Sequence, residues 1–591
     1  MRRFTVGCLA VIGTIAILFF LLLFVIAFAA SSVKGRVPSS AVLEVNLESG
    51  VIEDIPDEPV AKAMLSGQPS MRDIVDAIER ASTDDRVKGL FARFGGSTMG
   101  LAKAQEIREA VRNFRAHKKF AVAWSESFGE FGPGGSSYYL ASAFDQVWMQ
   151  PSGDIGLTGV ILESEFFRGT LDKLNIVPRM DHRYEYKNAM NQFTEKSFTP
   201  PHREAMEALM HSWSSQLAKG IAEGRKLAPD QVRAVADRGP LLGQEAVDAK
   251  LVDGLAYHDE IYAKVKQMAG AGAELIYLNK YLERAGRPHK SGKTIALIYG
   301  VGAVGRGKSG FDPLFGSASM GSDTVAAAFR DAVKDPKVKA ILFRIDSPGG
   351  SYVASDAIWE ETVRARKAGK PVIATMGDVA GSGGYFVAMA ADKIVAQPAT
   401  ITGSIGVLGG KMLTTGFWKM LGITFDQVHE GANATYWSGT DDYTPAEWAR
   451  FQAWLDRVYA DFTSKVADGR RLPKERVLQI AKGRIWSGED AKALGLVDEL
   501  GGFPEALALA RKAAKIPAGE EVSVQLFPRK KTAFQTLMDT LSGETPESSD
   551  QGAEAAAVIR ALRLVQPLAR QARAATGQTG VLEMPEVAGR P

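Results

Sequence analysis

Apolar and polar positions fall into three regimes along this chain. Residues 4–30 form an unbroken apolar run, mostly Leu, Ile, Val, Phe and Ala, with no charged side chain. From about residue 41 to about 527, short apolar segments alternate with stretches of helical spacing. In the later part of that region TIALIYG, KAILFRI, PVIATMG and DKIVAQP read as strands, short and apolar, with glycine or proline behind them. Between them SYVASDAIWEETVRARKAG has helical spacing, with Ala354, Ala357, Ile358 and Ala365 on one side. This βα alternation predicts an α/β fold with a parallel sheet and crossover helices. After about Pro528 the pattern dissolves into RKK, then SGETPESSDQGAEAAA, a lone helix-like stretch and ATGQTGVLEMPEVAGRP, which together predict a mobile tail.

At about 1.5 Å of rise per residue, the first run reaches roughly 40 Å as a helix, enough to cross a hydrocarbon core of about 30 Å with tilt. Arg2 and Arg3 precede it, so the positive-inside rule keeps the N-terminus in the cytoplasm and the bulk of the chain on the far side. Ala27-Phe28-Ala29 resembles a signal-peptide cleavage site. The apolar run is, however, far longer than a signal core of about 7–15 residues, so an uncleaved single-pass anchor is the expectation.

The remainder repeats itself with a period near 245–251 residues. DRVKGLFARF (Asp85 to Phe94) matches DPKVKAILFRI (Asp335 to Ile345), and YLASAFDQVWMQPSGDIGLTGV (Tyr139 to Val160) matches FVAMAADKIVAQPATITGSIGV (Phe386 to Val407). LLGQEAVDAKLVDGL (Leu241 to Leu255) matches WSGEDAKALGLVDEL (Trp486 to Leu500). Three blocks in one order argue for duplication, and the period is far too long for a solenoid. The expected plan is an anchor (1–30), a linker (31–40), a first half (41–283), a linker (284–293), a second half (294–527) and a tail (528–591).

Composition narrows the chemistry. The chain has 591 residues, 46% hydrophobic and 24% charged, as in ordinary globular proteins. A formal charge of +3 without a dense Lys/Arg stripe gives no case for nucleic acid. The single cysteine, Cys8, excludes intramolecular disulfides and Cys-rich metal sites.

Two glycine-rich turns in the second half stand out. DSPGGS (Asp346 to Ser351) follows the strand KAILFRI, and DVAGSGGYF (Asp378 to Phe386) follows PVIATMG; each precedes a helical segment. Two such turns on neighbouring strands can aim two backbone N–H groups at one point, the geometry of an oxyanion hole. Ser382 then sits exposed at a strand-to-helix turn. Glycine turns are common at βα junctions, however, and most serines on them cap helices. Position −2 is Ala380, so the G-x-S-x-G elbow is absent. A nucleophilic serine also needs a base. Of seven histidines only His429 follows Ser382 in the second half, with no partner suggested by its context. A lysine serves only if burial lowers its pKa toward neutrality, and spacing alone does not choose one.

The repeated halves, the anchor, SPGG, GSGGY and TGSIGV resemble the long tandem form of the signal peptide peptidase A family, Ser–Lys proteases of bacterial inner membranes. The resemblance runs from the anchor to about residue 520. It implies two tandem Clp/crotonase-like domains, a serine nucleophile at Ser382 in the second half, and a lysine base in the Y-K block RYEYKNAMNQF of the first half, at Lys187. It further implies the amides of Gly350 and Gly383 as oxyanion donors and Ser404, in TGSIGV, as the residue that orients the lysine; a helix cap is the other reading of Ser404. In the register of the repeat Ser382 falls opposite Gly135, and Lys187 near Ala432, so each half keeps one member of the pair. Ser136 is a neighbouring serine in the first half. The resemblance requires no metal or organic cofactor. The implied substrates are remnant signal peptides and other apolar, extended segments. The implied setting is the periplasmic face of the inner membrane, and the implied assembly a homotetramer.

Rival readings are a P-loop, acyl-CoA chemistry and a non-catalytic scaffold. GAVGRGKS (Gly302 to Ser309) satisfies G-x-x-x-x-G-K-[ST] after a strand. Glycine, serine and proline follow it, with helical spacing resuming only near Thr324, whereas a working P-loop opens directly into a helix. The anchor and the serine within the glycine turn argue against acyl-CoA chemistry, and labelling of Ser382 by a serine-reactive probe would separate a protease from both it and a scaffold.

Overall fold

The computed structural model describes residues 35–529, apart from 57, 66, 97, 98, 131 and 315, together with 582, 583 and 588–590. The expected anchor at 1–30 lies outside the described residues, as does most of the tail. Among the described residues no helix is long and apolar enough to cross a membrane.

Two sheets organise the chain. The first has six parallel strands in the order 274–277, 41–46, 87–94, 120–125, 146–149 and 254–255. The second repeats that order as 522–527, 293–301, 338–347, 372–381, 393–396 and 499–500, again all parallel. It carries a branch in which Ile401–Gly403 extends Val372–Gly381, and Ile485–Ser487 adds antiparallel. The strands are nearly continuous runs of buried Val, Ile, Leu, Ala and Phe, as a sheet covered on both faces requires.

Duplication extends to individual side chains. Tyr138 Oη donates to Leu251 O at 2.7 Å, and Tyr385 Oη to Leu496 O at 2.9 Å. Arg115 pairs with Asp145 while bonding Ala143 O, and Arg366 pairs with Asp392 while bonding Ala390 O. The helices Pro200–Arg225 and Pro445–Arg470 each begin with proline, run 26 residues and end on a left-handed residue, Lys226 and Arg471. Proline fits a helix start because its missing N–H has no intrahelical partner there.

The helix expected after the first glycine turn runs from Tyr352 to Lys367. It buries Ala354, Ile358 and Ala365 as its spacing predicts, but Ala357 is exposed, and Ser355, Glu361 and Thr362 complete the inner face instead. The P-loop-like run makes no phosphate cradle. Ala303–Gly305 is a strand, two further strands follow at Gly310–Asp312 and Ser317–Gly321, and the helix starts only at Ser322.

The halves are joined by packing, strands and charge. Ala399, Ile401 and Ile485 of the second half belong to the first half's hydrophobic core. Val177–His182 pairs antiparallel with Leu408–Leu413. Arg344 is buried between Glu53, at 2.6 Å, and Glu106, at 2.8 Å. Burial opposes the Arg344 charge, but Glu106 and Glu53 outweigh it and hold the guanidinium well above its ordinary range. Burial raises the Glu53 carboxyl despite the opposing pull of Arg344 and Lys103.

Candidate active site

The strand Val372–Gly381 and the helix Gly383–Ala388 meet at a single residue, Ser382, whose backbone lies at φ 54°, ψ −114°. A non-glycine residue in this region carries strain of about 1–3 kcal/mol and persists only where its surroundings hold it. Here Ser382 N donates to Gly403 O at 2.8 Å and Phe386 N donates to Ser382 O at 2.8 Å. The turn is as sharp as a nucleophile elbow although the sequence lacks that motif.

Lys187 arrives from the first half. The Val177–His182 strand docks on Leu408–Leu413, Arg183 N donates to Val407 O at 2.9 Å, and Tyr186 N donates to Lys482 O at 3.2 Å. Gly483 lies against the Lys187 backbone: at φ 87°, a Cβ there would stand 2.4 Å from Lys187 N. The amine of Lys187 thereby reaches 2.7 Å from Ser382 Oγ, across 195 positions of sequence. It also donates to Ser404 O at 2.9 Å and lies 3.0 Å from Ser404 Oγ. Lys187, Ser382 and Ser404 are all fully buried. The structure thus brings the three together within one chain. Ser404 itself caps no helix: it follows the strand Ile401–Gly403 at φ 50° and holds Arg484 O through its N–H.

The two glycine turns converge as well. Gly350, at φ 150°, would place a Cβ 2.2 Å from Val304 O, so the residue must be glycine. A Cβ on Gly383 would lie 3.0 Å from Gly350 N and 2.7 Å from Ser355 Oγ. The backbones of the two predicted donors therefore meet beside Ser382. Val304, the second residue of the strand within the P-loop-like run, is what backs Gly350. In the first half Gly134 caps the equivalent helix Gly135–Ala141, and Ser136 is buried within it.

One part of the site is absent from the motif reading. Lys103, near the start of the first-half helix Leu101–Ala116, sets its amine 2.8 Å from Asp346 and 3.1 Å from Asp378, the residues that open the two glycine turns. Lys103 N also donates to Asp378 Oδ1 at 3.1 Å, and Val379 N donates to Asp346 Oδ1 at 3.0 Å. Burial alone lowers the Lys103 pKa, but Asp346, Asp378 and Glu53 outweigh it and hold the amine above the usual lysine range. The signal in the sequence was the repeated Asp at the head of each turn; the lysine itself had none.

A buried serine on a strained turn, an amine at hydrogen-bond distance and two converging glycine backbones are the kinds of group that a serine hydrolase needs as nucleophile, proton acceptor and oxyanion site. Peptidase family S49 matches residues 114–272 and 364–517, once in each half. The chain is 33% identical to Protease 4 of Salmonella typhi over 488 residues, covering 80% of this chain and 76% of that protein. It is 29% identical to the chloroplastic serine protease SPPA of Arabidopsis thaliana over 518 residues, covering 86% and 74%. A putative signal peptide peptidase SppA of Enterococcus faecium is 30% identical over 208 residues, covering 35% of this chain and 60% of that protein. With both halves matched and most of each long relative covered, the chain belongs to peptidase family S49 and is a serine protease.

Proposed function

We propose that Ser382 is the nucleophile and Lys187 the general base of an endopeptidase that cuts remnant signal peptides and other apolar, extended segments. The observation that carries this reading is the 2.7 Å approach of the Lys187 amine to Ser382 Oγ, both buried. An amine removed from water loses the hydration that favours its charged form, and a base must be neutral to accept a proton.

Ser382 Oγ attacks the scissile carbonyl carbon while Lys187 Nζ takes its proton. The carbonyl oxygen gains negative charge and accepts hydrogen bonds from the N–H groups of Gly350 and Gly383. Lys187 returns the proton to the leaving amine as the C–N bond breaks. Water, deprotonated by Lys187, then attacks the Ser382 ester, and Lys187 returns that proton to Ser382 Oγ as the acyl–oxygen bond breaks and the acid leaves. Ser404 holds the amine on line through its carbonyl and hydroxyl.

The uncharged run at residues 4–30 supports an anchor with the protease on the periplasmic side. Apolar side chains exposed on the segment that precedes the helix Pro445–Arg470, Leu421, Phe425, Val428 and Trp437 among them, support an assembled state, which we take to be a homotetramer. Light scattering in detergent tests the assembly. The chemistry is tested by peptide cleavage with wild type, Ser382→Ala and Lys187→Ala, each checked for folding by circular dichroism. Loss of cleavage in both variants is expected. Full activity in folded Lys187→Ala overturns the assignment.

A further inference from the structure

Arg484 joins the two elements that hold the Lys187 amine. It stands one position after Gly483, which lies against the Lys187 backbone, and one before the strand Ile485–Ser487. Its carbonyl accepts from Ser404 N at 2.8 Å, and Ser404 in turn meets the amine with its carbonyl and hydroxyl. Its side chain reaches the first half. The guanidinium carbon lies 5.2 Å from the centre of the ring of Tyr186, the residue before Lys187, and 4.5 Å from that of Trp486. Arg484 Nη1 donates to Glu204 Oε1 at 2.6 Å, and Tyr186 Oη donates to Glu204 Oε2 at 2.5 Å. Glu204 belongs to the helix Pro200–Arg225, so the lysine segment, that helix and the segment around Arg484 close a ring of contacts.

The ring exists only at the junction that carries Lys187 and Ser382. In the register of the repeat Arg484 corresponds to Gly239, and on the paired 26-residue helices Glu204 corresponds to Ala449. Neither counterpart carries a charge. A planar guanidinium can lie on an aromatic face while its N–H fork holds a carboxylate, a combination that the compact ammonium of lysine does not reproduce. The Glu204 side chain is 57% exposed and that of Arg484 16%, so the ring closes at the surface and fills no core. What it fixes is Tyr186, and with it the backbone from which Lys187 projects. Displacement of a reacting group by about 1 Å can cost on the order of a hundredfold in rate.

We propose that Arg484 is a positioning residue for the lysine base: with Tyr186 and Glu204 it clamps the first-half segment against Ser404 and keeps the Lys187 amine on Ser382 Oγ. The proposal rests on the reading of Lys187 as the base and adds to it the parts that hold the base in place.

The test compares wild type with Arg484→Met, Arg484→Lys, Tyr186→Phe and Glu204→Gln on a fluorogenic apolar peptide, with the thermal midpoint of each recorded. Arg484→Met is expected to lower kcat by about thirtyfold or more with KM within about threefold. Arg484→Lys keeps the ion pair with Glu204 and should recover part of that loss. Tyr186→Phe and Glu204→Gln each remove one charge-assisted contact and should lower kcat about fivefold. A second arm follows the rate at which a fluorophosphonate labels Ser382, with and without Lys187→Ala. A residue that acts through the lysine has nothing left to do once the amine is gone, so in that background Arg484→Met should change labelling by less than about twofold. Equal slowing in both backgrounds overturns the clamp and leaves the Ser–Lys pair standing. Unchanged kcat in both Tyr186→Phe and Glu204→Gln does the same, even where Arg484→Met fails to fold. Full peptide cleavage by Lys187→Ala overturns the base assignment and the clamp with it.

Discussion

Lys103 and Asp378 meet twice, backbone to carboxylate and amine to carboxylate, at 3.1 Å in each case. The same amine holds Asp346, so one first-half residue ties together the heads of both second-half glycine turns. Lys103→Met leaves two partly buried carboxylates facing each other, at a cost of about 1–3 kcal/mol. It should also spread the turns that carry Gly350 and Gly383. The expected kinetic result is a kcat lower by tenfold or more with KM within threefold, and partial recovery in Lys103→Arg; steady-state kinetics on one peptide substrate reads all three.

Ser382 and Lys187 act as one unit in the proposed mechanism, so their losses should not add. The double variant Ser382→Ala/Lys187→Ala is expected to retain the same residual rate as either single variant, within about threefold. A double variant slower by the product of the two single losses would argue that the residues work independently.

Gly483 sets the position of the lysine. With φ at 87° and a Cβ that would fall 2.4 Å from Lys187 N, Gly483→Ala must push the Lys187 segment away. Activity should fall at least a hundredfold. Labelling of Ser382 by a serine-reactive fluorophosphonate should fall in parallel, since the proposed mechanism makes Lys187 the proton acceptor of that hydroxyl.

Arg344 is 3% exposed and faces two carboxylates that are equally buried. Arg344→Met strands both, and breaking a buried pair from one side costs about 3–5 kcal/mol. Urea unfolding followed by tryptophan fluorescence should show the midpoint shift. Replacing Glu106 together with Arg344 by apolar residues should recover part of it, because fewer charges are left without a partner.

His202 is buried against Phe166 and Phe198, and burial lowers its pKa to about 4. Its unfolded value is near 6.5, so the unfolded chain binds the proton more readily. Stability from this group is therefore present above about pH 6.5 and is lost progressively as pH falls toward 4, by about 3 kcal/mol in all. Unfolding midpoints of wild type and His202→Phe at pH 7.5 and pH 5 should converge or cross as pH falls. An unchanged gap between them would remove His202 from the acid sensitivity.

Much of the scaffold was legible because it is local. The strands at 293–301, 338–347, 372–381 and 393–396 announced themselves as apolar runs, and the duplication was visible as three matched blocks. Ser382 was legible as a turn residue, although its left-handed backbone was not, since no motif demanded it. Lys187 carried no local mark at all: it is one lysine among many, and its meaning depends on a contact 195 positions away. Only family resemblance pointed to it. Lys103 and Arg344 were missed for the same reason, because ion pairs between halves leave no periodicity. Ala357 was misplaced because a single apolar residue at helical spacing is small enough to face water. The tail strands at 582–583 and 588–590 stood in a composition that predicted mobility, and their pairing depends on edges supplied by distant strands.

The antiparallel join of Val177–His182 to Leu408–Leu413 also has a temporal side. A ribosome that has finished only the first half has made the amine without the hydroxyl. On the proposed mechanism, a nascent chain in that state can cleave nothing, itself included. On that mechanism hydrolytic competence would begin only after synthesis has run beyond Gly483, which backs Lys187, and the two strands have found each other, so late synthesis works as its own safety catch.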